Sequence, residues 1–374
     1  MSAGTDQPQT ASNGTGPRRT VISVDAMGGD RGPEAIVSGL AKSARKNPDI
    51  AFILHGDQAE LAALVAKRPE LAGRVDIRHA DGVVSMDDKP AQVLRNGKGS
   101  SMWSTIEAVR DHEAEVAVSC GNTGALMVLS MMRLRKLPGV NRPAIACYWP
   151  SKNPAGFNVM LDVGADVRAD EHDLLQYALM GTSYARNSLG LKRPRVGLLN
   201  VGTEEHKGRN EIKAAAELIA DAAEAGEFEF VGNVEGSDIP SKKVDVIVTD
   251  GFTGNVALKT AEGTAGLFKS FFKEAFRATL PARIGALFAA RQLKILTHRT
   301  DPRRVNGGVF LGLNGTVVKS HGSADATGIA AAVTLAFDLA RHDFNHKLAA
   351  RVASVPAHGQ DGATFNEEQD ETAQ

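Results

Sequence analysis

The sequence has little of what marks disulfide-rich, zinc-binding or membrane-spanning proteins. Its 374 residues include only two cysteines, Cys120 and Cys147. They are too few for a disulfide framework and lack the paired spacing of a zinc site. No stretch sustains the roughly 18 to 20 uncharged apolar residues that a transmembrane helix needs. We therefore expect a cytoplasmic protein whose contact with a membrane, if it has one, is at the surface.

Charge of one sign is not in excess either. Lys and Arg together number 43 and Asp and Glu 44, which gives a formal net charge of -1. No overall field attracts nucleic acid or membrane, so we expect no nucleic-acid partner and look for local charged patches. Residues 1–17 and 353–374 are polar and have too few apolar residues to fold, so both are expected to be disordered tails.

Short apolar strands alternate with helical segments through most of residues 18–352. The pattern appears at 20–25, 51–56, 75–80, 115–121, 158–164, 195–202, 228–234, 244–251 and 317–325. Such alternation predicts an α/β fold in three layers, with a mainly parallel sheet covered by helices on both faces. We expect a single domain with two lobes.

Residues about 261–301 differ from this alternation of strands and helices, because they contain helix formers and no strand pattern. Apolar residues recur there at mainly three- and four-residue steps between cations, which predicts a protruding helical segment. This stripe suits both the surface of an anionic membrane and a dimer interface. We expect a dimer whose protruding helical segment ends in a tip that touches the membrane. The tip residues are Ile284, Leu287 and Phe288.

Polar, glycine-rich turns follow several of the predicted strands. Ligands of open α/β sheets bind beyond the carboxyl ends of strands, so these turns are candidate binding sites. The candidate residues in or beside them are Asp25, Gly28, Gly29, Asp30, Gly121, Asn122, Thr123, Gly124, Gly202, Thr203, Asp250, Thr253, Gly254 and Lys259. The turn at 120–124 opens a helix, whose N-terminus favours an anion, although glycines that only shape the turn would explain it equally well. We expect the turns to meet at one sheet edge and hold phosphate beside something larger.

Three side chains are candidates for the chemistry itself. Lys207 can neutralise a phosphate or an oxyanion, although a solvated surface lysine gives the same pattern. His321 offers an imidazole, the side-chain group best suited in general to proton transfer at neutral pH, and Asn255 offers an amide. Cys120 as a thioester nucleophile is disfavoured, because lone cysteines at strand ends are usually just buried.

Eight segments, taken together and in order, resemble the phosphate acyltransferase family, the acyl-carrier-protein:phosphate transacylases of bacterial phospholipid synthesis. They are residues 24–30, 119–127, 142–146, 161–165, 196–208, 231–236, 248–260 and 317–325. The resemblance covers about residues 20–350. It implies a fold like that of the isocitrate and isopropylmalate dehydrogenases and of phosphotransacetylase, a homodimer, and no cofactor or metal.

The resemblance also implies a reaction and partners. A fatty acyl group would pass from acyl carrier protein to inorganic phosphate. The acyl phosphate would then go to a membrane glycerol-3-phosphate acyltransferase, with this protein at the inner face of the cell membrane. Phosphate would be held by Asn122, Thr123, Thr253 and Asn255. Lys207 would balance its charge, and His321 would orient it or protonate the departing thiolate.

Acyl carrier protein is acidic, so its docking requires a basic surface. Arg133, Arg135 and Lys136 follow the 120–124 turn by one helix and form such a cluster. Cations at a helix C-terminus, placed there by the helix dipole, explain the cluster equally well. The rival functions are a phosphotransacetylase that uses coenzyme A, a decarboxylating dehydrogenase and a non-catalytic scaffold. The dehydrogenase is disfavoured because three metal-binding aspartates are not evident.

Overall fold

A computed structural model describes residues 19–299 and 307–354, which contain eleven strands and twelve α-helices. The strands are β1 (Thr20–Asp25), β2 (Ile50–Gly56), β3 (Val75–His79), β4 (Val116–Ser119), β5 (Ala144–Pro150), β6 (Phe157–Leu161), β7 (Arg195–Leu199), β8 (Glu229–Val234), β9 (Val246–Val248), β10 (Gly308–Leu311) and β11 (Thr316–Lys319). The helices are α1 (Gly32–Lys46), α2 (Gln58–Ala66), α3 (Pro90–Asn96), α4 (Ser101–Arg110), α5 (Thr123–Leu134), α6 (Glu171–Leu189), α7 (Asn210–Ala222), α8 (Gly251–Ala275), α9 (Leu280–Phe288), α10 (Ala290–Arg299), α11 (Ala326–Arg341) and α12 (Phe344–Ser354). Of the predicted tails, residues 1–17 and 355–374 lie outside the described residues, whereas residues 353 and 354, predicted as the start of the second tail, end α12.

The strands form one sheet in the order β3-β2-β1-β4-β11-β10-β5-β6-β9-β7-β8. Neighbouring strands are parallel except at β11–β10, β10–β5 and β5–β6. The predicted mainly parallel sheet is therefore confirmed, with antiparallel pairing confined to its middle. We call β3, β2, β1, β4 and β11 the first half, and β6, β9, β7 and β8 the second half. Each half is parallel within itself, and the two halves run in opposite directions.

Helices cover both faces of the sheet, as the continuous apolar strands predict. In β4, Val116 and Val118 pack into the core that α1, α6, α7, α11 and α12 share. Ala117 points to the other face and joins the core beneath α3, α4 and α5. Ala257 and Leu258 bring the first turns of α8 onto this second face. The three-layer α/β architecture is confirmed.

The helix that begins the projection starts earlier in the chain than residue 261. It is α8, which starts at Gly251 beside the sheet and whose second half is exposed at every residue from 263 to 275. Its exposed apolar side chains include Leu267, Phe268, Phe271 and Phe272. Further out on α9, Ile284, Leu287 and Phe288 are 47%, 76% and 86% exposed. No helix among residues 19–299 and 307–354 combines the length and the apolar character needed to cross a bilayer.

The start of α8 is fixed by close packing against the end of β6. A Cβ on Gly254 would overlap the backbone oxygen of Asp162, and one on Gly251 would overlap the Asp162 carboxylate. Gly254, a candidate ligand residue in the sequence, therefore has a structural reason to be glycine. Only residues without a side chain let α8 approach this closely.

Substituting Gly254→Ala should destabilise the fold by about 1–3 kcal/mol, because the added methyl group forces α8 away from Asp162. Gly263→Ala is the matched control, since a Cβ there meets nothing within 4 Å. Alanine at that exposed helical position should be neutral or stabilise by up to about 1 kcal/mol. Urea unfolding of both variants measures the difference. Equal midpoints for the two would show that the contact does not hold α8 in place.

Candidate active site

The carboxyl ends of β1, β4 and β11 meet around Asp25. This residue is 1% exposed, and its carboxylate accepts hydrogen bonds from the Ser101 hydroxyl at 2.6 Å, the Ser119 hydroxyl at 2.7 Å and the Gly28 N–H at 3.0 Å. Since these donors come from the β1 turn, α4 and β4, the carboxylate joins three elements. Asp25 thus organises the turns around it.

The turn after β1 also packs against the turns after β4 and β11. Gly29 has a φ of 97°, and a Cβ there would lie 2.8 Å from the Cβ of Cys120 and 3.0 Å from the backbone oxygen of Gly322. The N–H of Asp30 donates to the same Gly322 oxygen at 2.9 Å. The predicted meeting of turns is therefore observed within the first half of the sheet.

Asn122 has a structural task in this region. Its side-chain oxygen accepts the Ala125 N–H at 3.0 Å and caps α5. Its amide nitrogen donates to the backbone oxygens of Met86 at 2.8 Å and Asp88 at 3.0 Å. The side chain thus fixes the loop before α3 against α5. Thr123 and Gly124 begin α5, next to Gly121 at the end of the β4 turn.

Lys319, the last residue of β11, lies at this junction and was not among the predicted site residues. Its Nζ donates to the backbone oxygens of Cys120, at 3.4 Å, and Ser320. Burial and the positive charge of Lys259 lower the pKa of Lys319 to about 8, while Cys120, Asp25 and Asp30 act in the opposite direction. The signal in the sequence was a lysine that directly ends a buried apolar strand.

The helix α8 brings further charged groups to the same place. His321 Nε2 lies 4.0 Å from Glu262 Oε2, and Lys259 Nζ lies 2.8 Å from the same oxygen. On its other side, His321 Nδ1 is 3.0 Å from the Ser323 hydroxyl. We call Lys259, Glu262, Lys319 and His321 the β11–α8 cluster. The side chains of Lys259 and His321 are 57% and 51% exposed, so a ligand has access to it.

A second group of polar residues lies where α8 begins. Asp250 is 3% exposed, caps α8 by accepting the Thr253 N–H at 2.8 Å, and pairs with Arg209 Nη2 at 2.5 Å. Nearby, the Asp162 carboxylate accepts backbone N–H groups from Ile145, Gly164, Ala165 and Asp166. Burial raises the pKa of Asp162 in spite of these hydrogen bonds. Asn255, one turn further along α8, lies against Gly164.

The third group is the loop after β7, with Gly202, Thr203 and Lys207. Lys207 Nζ pairs with Glu204 Oε1 at 2.8 Å, and this contact raises the pKa of Lys207. The strands of the second half run opposite to those of the first, so strand direction alone does not place this loop at the edge where the β1, β4 and β11 turns meet. The grouping of Lys207 with those turns stays a prediction.

The first two groups are nevertheless close across β5. Burial raises the pKa of Cys147, in the middle of β5, to about 12, and the charges of Glu262 and Asp162 add to the effect. Cys147 therefore lies within electrostatic reach of both groups. In the described part of the chain, no group of three His, Cys, Asp or Glu side chains is placed to hold a metal ion.

The predicted docking cations differ in their surroundings. Arg133 pairs with Glu107 at 2.5 Å, and its guanidinium lies 5.2 Å from the centre of the Trp103 ring. Arg133 is thus tied to α4. Arg135 is exposed, and exposed Lys136 donates to the backbone oxygen of Asn141 at 2.6 Å. Two of the three cations therefore face solvent.

Comparison with known proteins identifies the family. A family model described as "Fatty acid synthesis protein" matches residues 20–347. The phosphate acyltransferase of Paracoccus denitrificans is 69% identical over 354 residues, which cover 94% of this chain and 95% of that protein. That of Dinoroseobacter shibae is 66% identical and covers 99% of this chain and 98% of its own. The chain belongs to the phosphate acyltransferase family. The predicted family and enzyme class, an acyltransferase, are confirmed.

Solved structures place the family in a wider fold group. A phosphotransacetylase from Streptococcus pyogenes aligns with a TM-score of 0.58 at 15% identity, covering 86% of this chain and 94% of that one. A 4-hydroxythreonine-4-phosphate dehydrogenase from Klebsiella pneumoniae aligns with a TM-score of 0.51 at 12% identity, covering 86% and 99%. At such identities the likeness concerns the fold. It confirms the predicted relation of this family's fold to that of phosphotransacetylase.

Proposed function

We propose that the protein transfers a fatty acyl group from acyl carrier protein to inorganic phosphate, which yields acyl phosphate and free carrier protein. The product would feed glycerol-3-phosphate acylation in phospholipid synthesis. The observation that carries this proposal is the β11–α8 cluster, where two lysines and a histidine surround an accessible junction of turns. In a chain with a net charge of -1, two lysines close enough to influence each other's charge support binding of a phosphate anion.

The proposed chemistry depends on position and charge. Phosphate near neutral pH is already a nucleophile and a thioester is already activated, so the enzyme mainly has to align them and stabilise the tetrahedral oxyanion. Lys259 and Lys319 would balance the negative charge. Glu262 and Ser323, on either side of the imidazole, would hold His321 toward the phosphate. Thr123 and Gly124, at the N-terminus of α5, would add the positive end of a helix dipole.

Roles for Asn255 and Lys207 need a ligand that extends beyond this cluster. Asn255 precedes Glu262 by seven residues on α8, which is roughly 10 Å along the helix axis. A pantetheine thioester is long enough to span that distance. We propose that Asn255, supported by Thr253, contacts the thioester donor. Lys207, Gly202 and Thr203 would contact the end of the donor that is farthest from the β11–α8 cluster.

One assay tests the function and the residues together. Purified protein, acyl carrier protein charged with a fatty acid, and phosphate should give free carrier protein and acyl phosphate in equal amounts. His321→Ala and Lys207→Ala should each lower kcat about 10-fold or more, with unchanged circular dichroism. Near-wild-type rates would remove either residue from the mechanism. Equal use of the coenzyme A thioester would favour the phosphotransacetylase reading, and no phosphate-dependent loss of thioester would favour a scaffold.

We propose that Arg135 and Lys136 dock the acidic carrier protein, with Arg133 as a packed support. The double change Arg135→Glu, Lys136→Glu should raise KM for the acyl carrier protein several-fold, and more strongly at low salt, because the contact is between exposed charges. Lys67→Glu, a charge reversal at an exposed residue beside α2, is the control. A KM that stays unchanged in the double variant would exclude this surface.

The projection has two apolar surfaces, for which we propose two partners. Leu267, Phe268, Phe271 and Phe272 on α8 would pair with a second copy of the chain. Ile284, Leu287 and Phe288 on α9 would touch the inner face of the cell membrane, where the membrane acyltransferase would take the product. Both surfaces are apolar and exposed, which supports their being covered in the cell.

The two surfaces should separate by mutation. Leu287→Asp with Phe288→Asp should abolish co-sedimentation with anionic vesicles and leave a dimer, because the change is confined to the tip. Phe268→Asp with Phe271→Asp should give a monomer in analytical ultracentrifugation, since two charges would then lie in the dimer contact. Undiminished vesicle binding by the first variant would defeat the membrane proposal, and a dimeric second variant would defeat the dimer proposal.

A further inference from the structure

We infer that the ammonium group of Lys319, and not the imidazole of His321, gives the proton to the thiolate that leaves when phosphate attacks the thioester. The inference rests on the proposed function and assigns its proton donor. It starts from position, because Lys319 Nζ is held where the turns after β1, β4 and β11 meet. The groups that face it are Asp25 and Asp30 from the β1 turn, Cys120 from the β4 turn, and Lys259 from α8. His321 and Glu262 complete the β11–α8 cluster beside it.

Lys319 and His321 differ in how far their side chains are exposed to solvent. The backbone oxygens of Cys120 and Ser320 orient the Lys319 ammonium group, and the side chain is only partly exposed. The His321 side chain is 51% exposed, with Nδ1 directed to Ser323 and Nε2 4.0 Å from Glu262. An imidazole between a hydroxyl and a carboxylate is suited to orienting phosphate. A desolvated ammonium group at the junction is suited to giving up a proton.

The acidity of the ammonium group fits this task. Lysine in water, with a pKa of about 10.4, holds its proton too firmly to protonate a thiolate readily. Burial and the charge of Lys259 bring the pKa of Lys319 to about 8 in this structure. At neutral pH the group is still protonated, yet its pKa lies close to that of a thiol, for which about 8.5 is typical. Proton transfer between groups of matched pKa is the efficient case.

The step balances without another reactant. A phosphate oxygen forms a bond to the thioester carbonyl carbon, and the tetrahedral intermediate collapses by breaking the carbon–sulfur bond. The sulfur electron pair takes a proton from Lys319 Nζ, which leaves a neutral amine. The amine then takes the proton that the hydrogen phosphate brought, now on the acyl phosphate. Acyl phosphate and free thiol leave, and the ammonium group is restored.

The leaving group provides the test. Lys319→Met should lower kcat about 100-fold or more with acyl carrier protein as donor. It should lower kcat less than about 10-fold with an aryl thioester, whose thiolate departs without protonation. Lys259→Met, which removes a neighbouring charge but no proton donor, should lose a similar factor with both donors. Equal losses for Lys319→Met with the two donors would overturn the inference.

The pH profile gives a second readout in a variant that keeps the charge. Because Lys319 acts as the protonated form, kcat/KM of the wild type should fall as pH rises through about 8. Lys319→Arg cannot lose its proton in this range, so the alkaline fall should disappear at a low residual rate. An unchanged alkaline limb in Lys319→Arg would overturn the inference. Wild-type protein that makes no acyl phosphate from either donor would overturn the proposed function itself. That result differs from an active wild type whose donor dependence and pH profile do not change when Lys319 is substituted, which would overturn only the inference.

Discussion

Antiparallel pairing of β10 and β5 in the middle of the sheet decides where the functional groups lie. Because β10 pairs antiparallel with both β11 and β5, and β5 pairs antiparallel with β6, the two halves point their carboxyl ends in opposite directions. The loops of each half then gather separately. A site that uses both halves needs an element that crosses between them, and in this fold the element is α8.

The helix α8 crosses because its start is held so closely. Gly251 and Gly254 let it approach Asp162, and Asp250 caps it while paired with Arg209. From there its first turns run over the sheet and carry Lys259 and Glu262 to the loop of His321. The same helix continues into the exposed projection, so about 37 Å of one 25-residue helix joins the candidate site to the proposed dimer and membrane surfaces. The projection and several candidate site residues are therefore parts of one continuous helix.

The sequence predicted the elements better than their arrangement. Strands such as β1 and β4 are recognisable because they are covered on both faces and read as continuous apolar runs. The two strands that escaped prediction, β5 and β10, are the ones that pair antiparallel with both of their neighbours. β10 has only four residues, and β5 ends in Trp149 and Pro150. An apolar run does not tell in which direction its neighbour runs. For that reason the sequence alone does not decide whether turns of the two halves share one edge, and the grouping of Lys207 and Asn255 with His321 stays a prediction.

The predicted site residues around Asp25 were easier to find than Lys319, for a physical reason. Glycines and aspartates in turns are visible in a sequence because they stand out from the strands beside them. A lysine at the end of a strand looks like an ordinary surface cation until burial by neighbouring turns is known. Burying an ammonium group is unfavourable, so its retention beside Lys259, a second positive charge, is hard to explain by stability alone. Burial and the charge of Lys259 also make the Lys319 ammonium group more acidic, which is what a proton donor needs. The two lysines then have unequal tasks: Lys259, more exposed and paired with Glu262, contributes charge, and Lys319 contributes a proton.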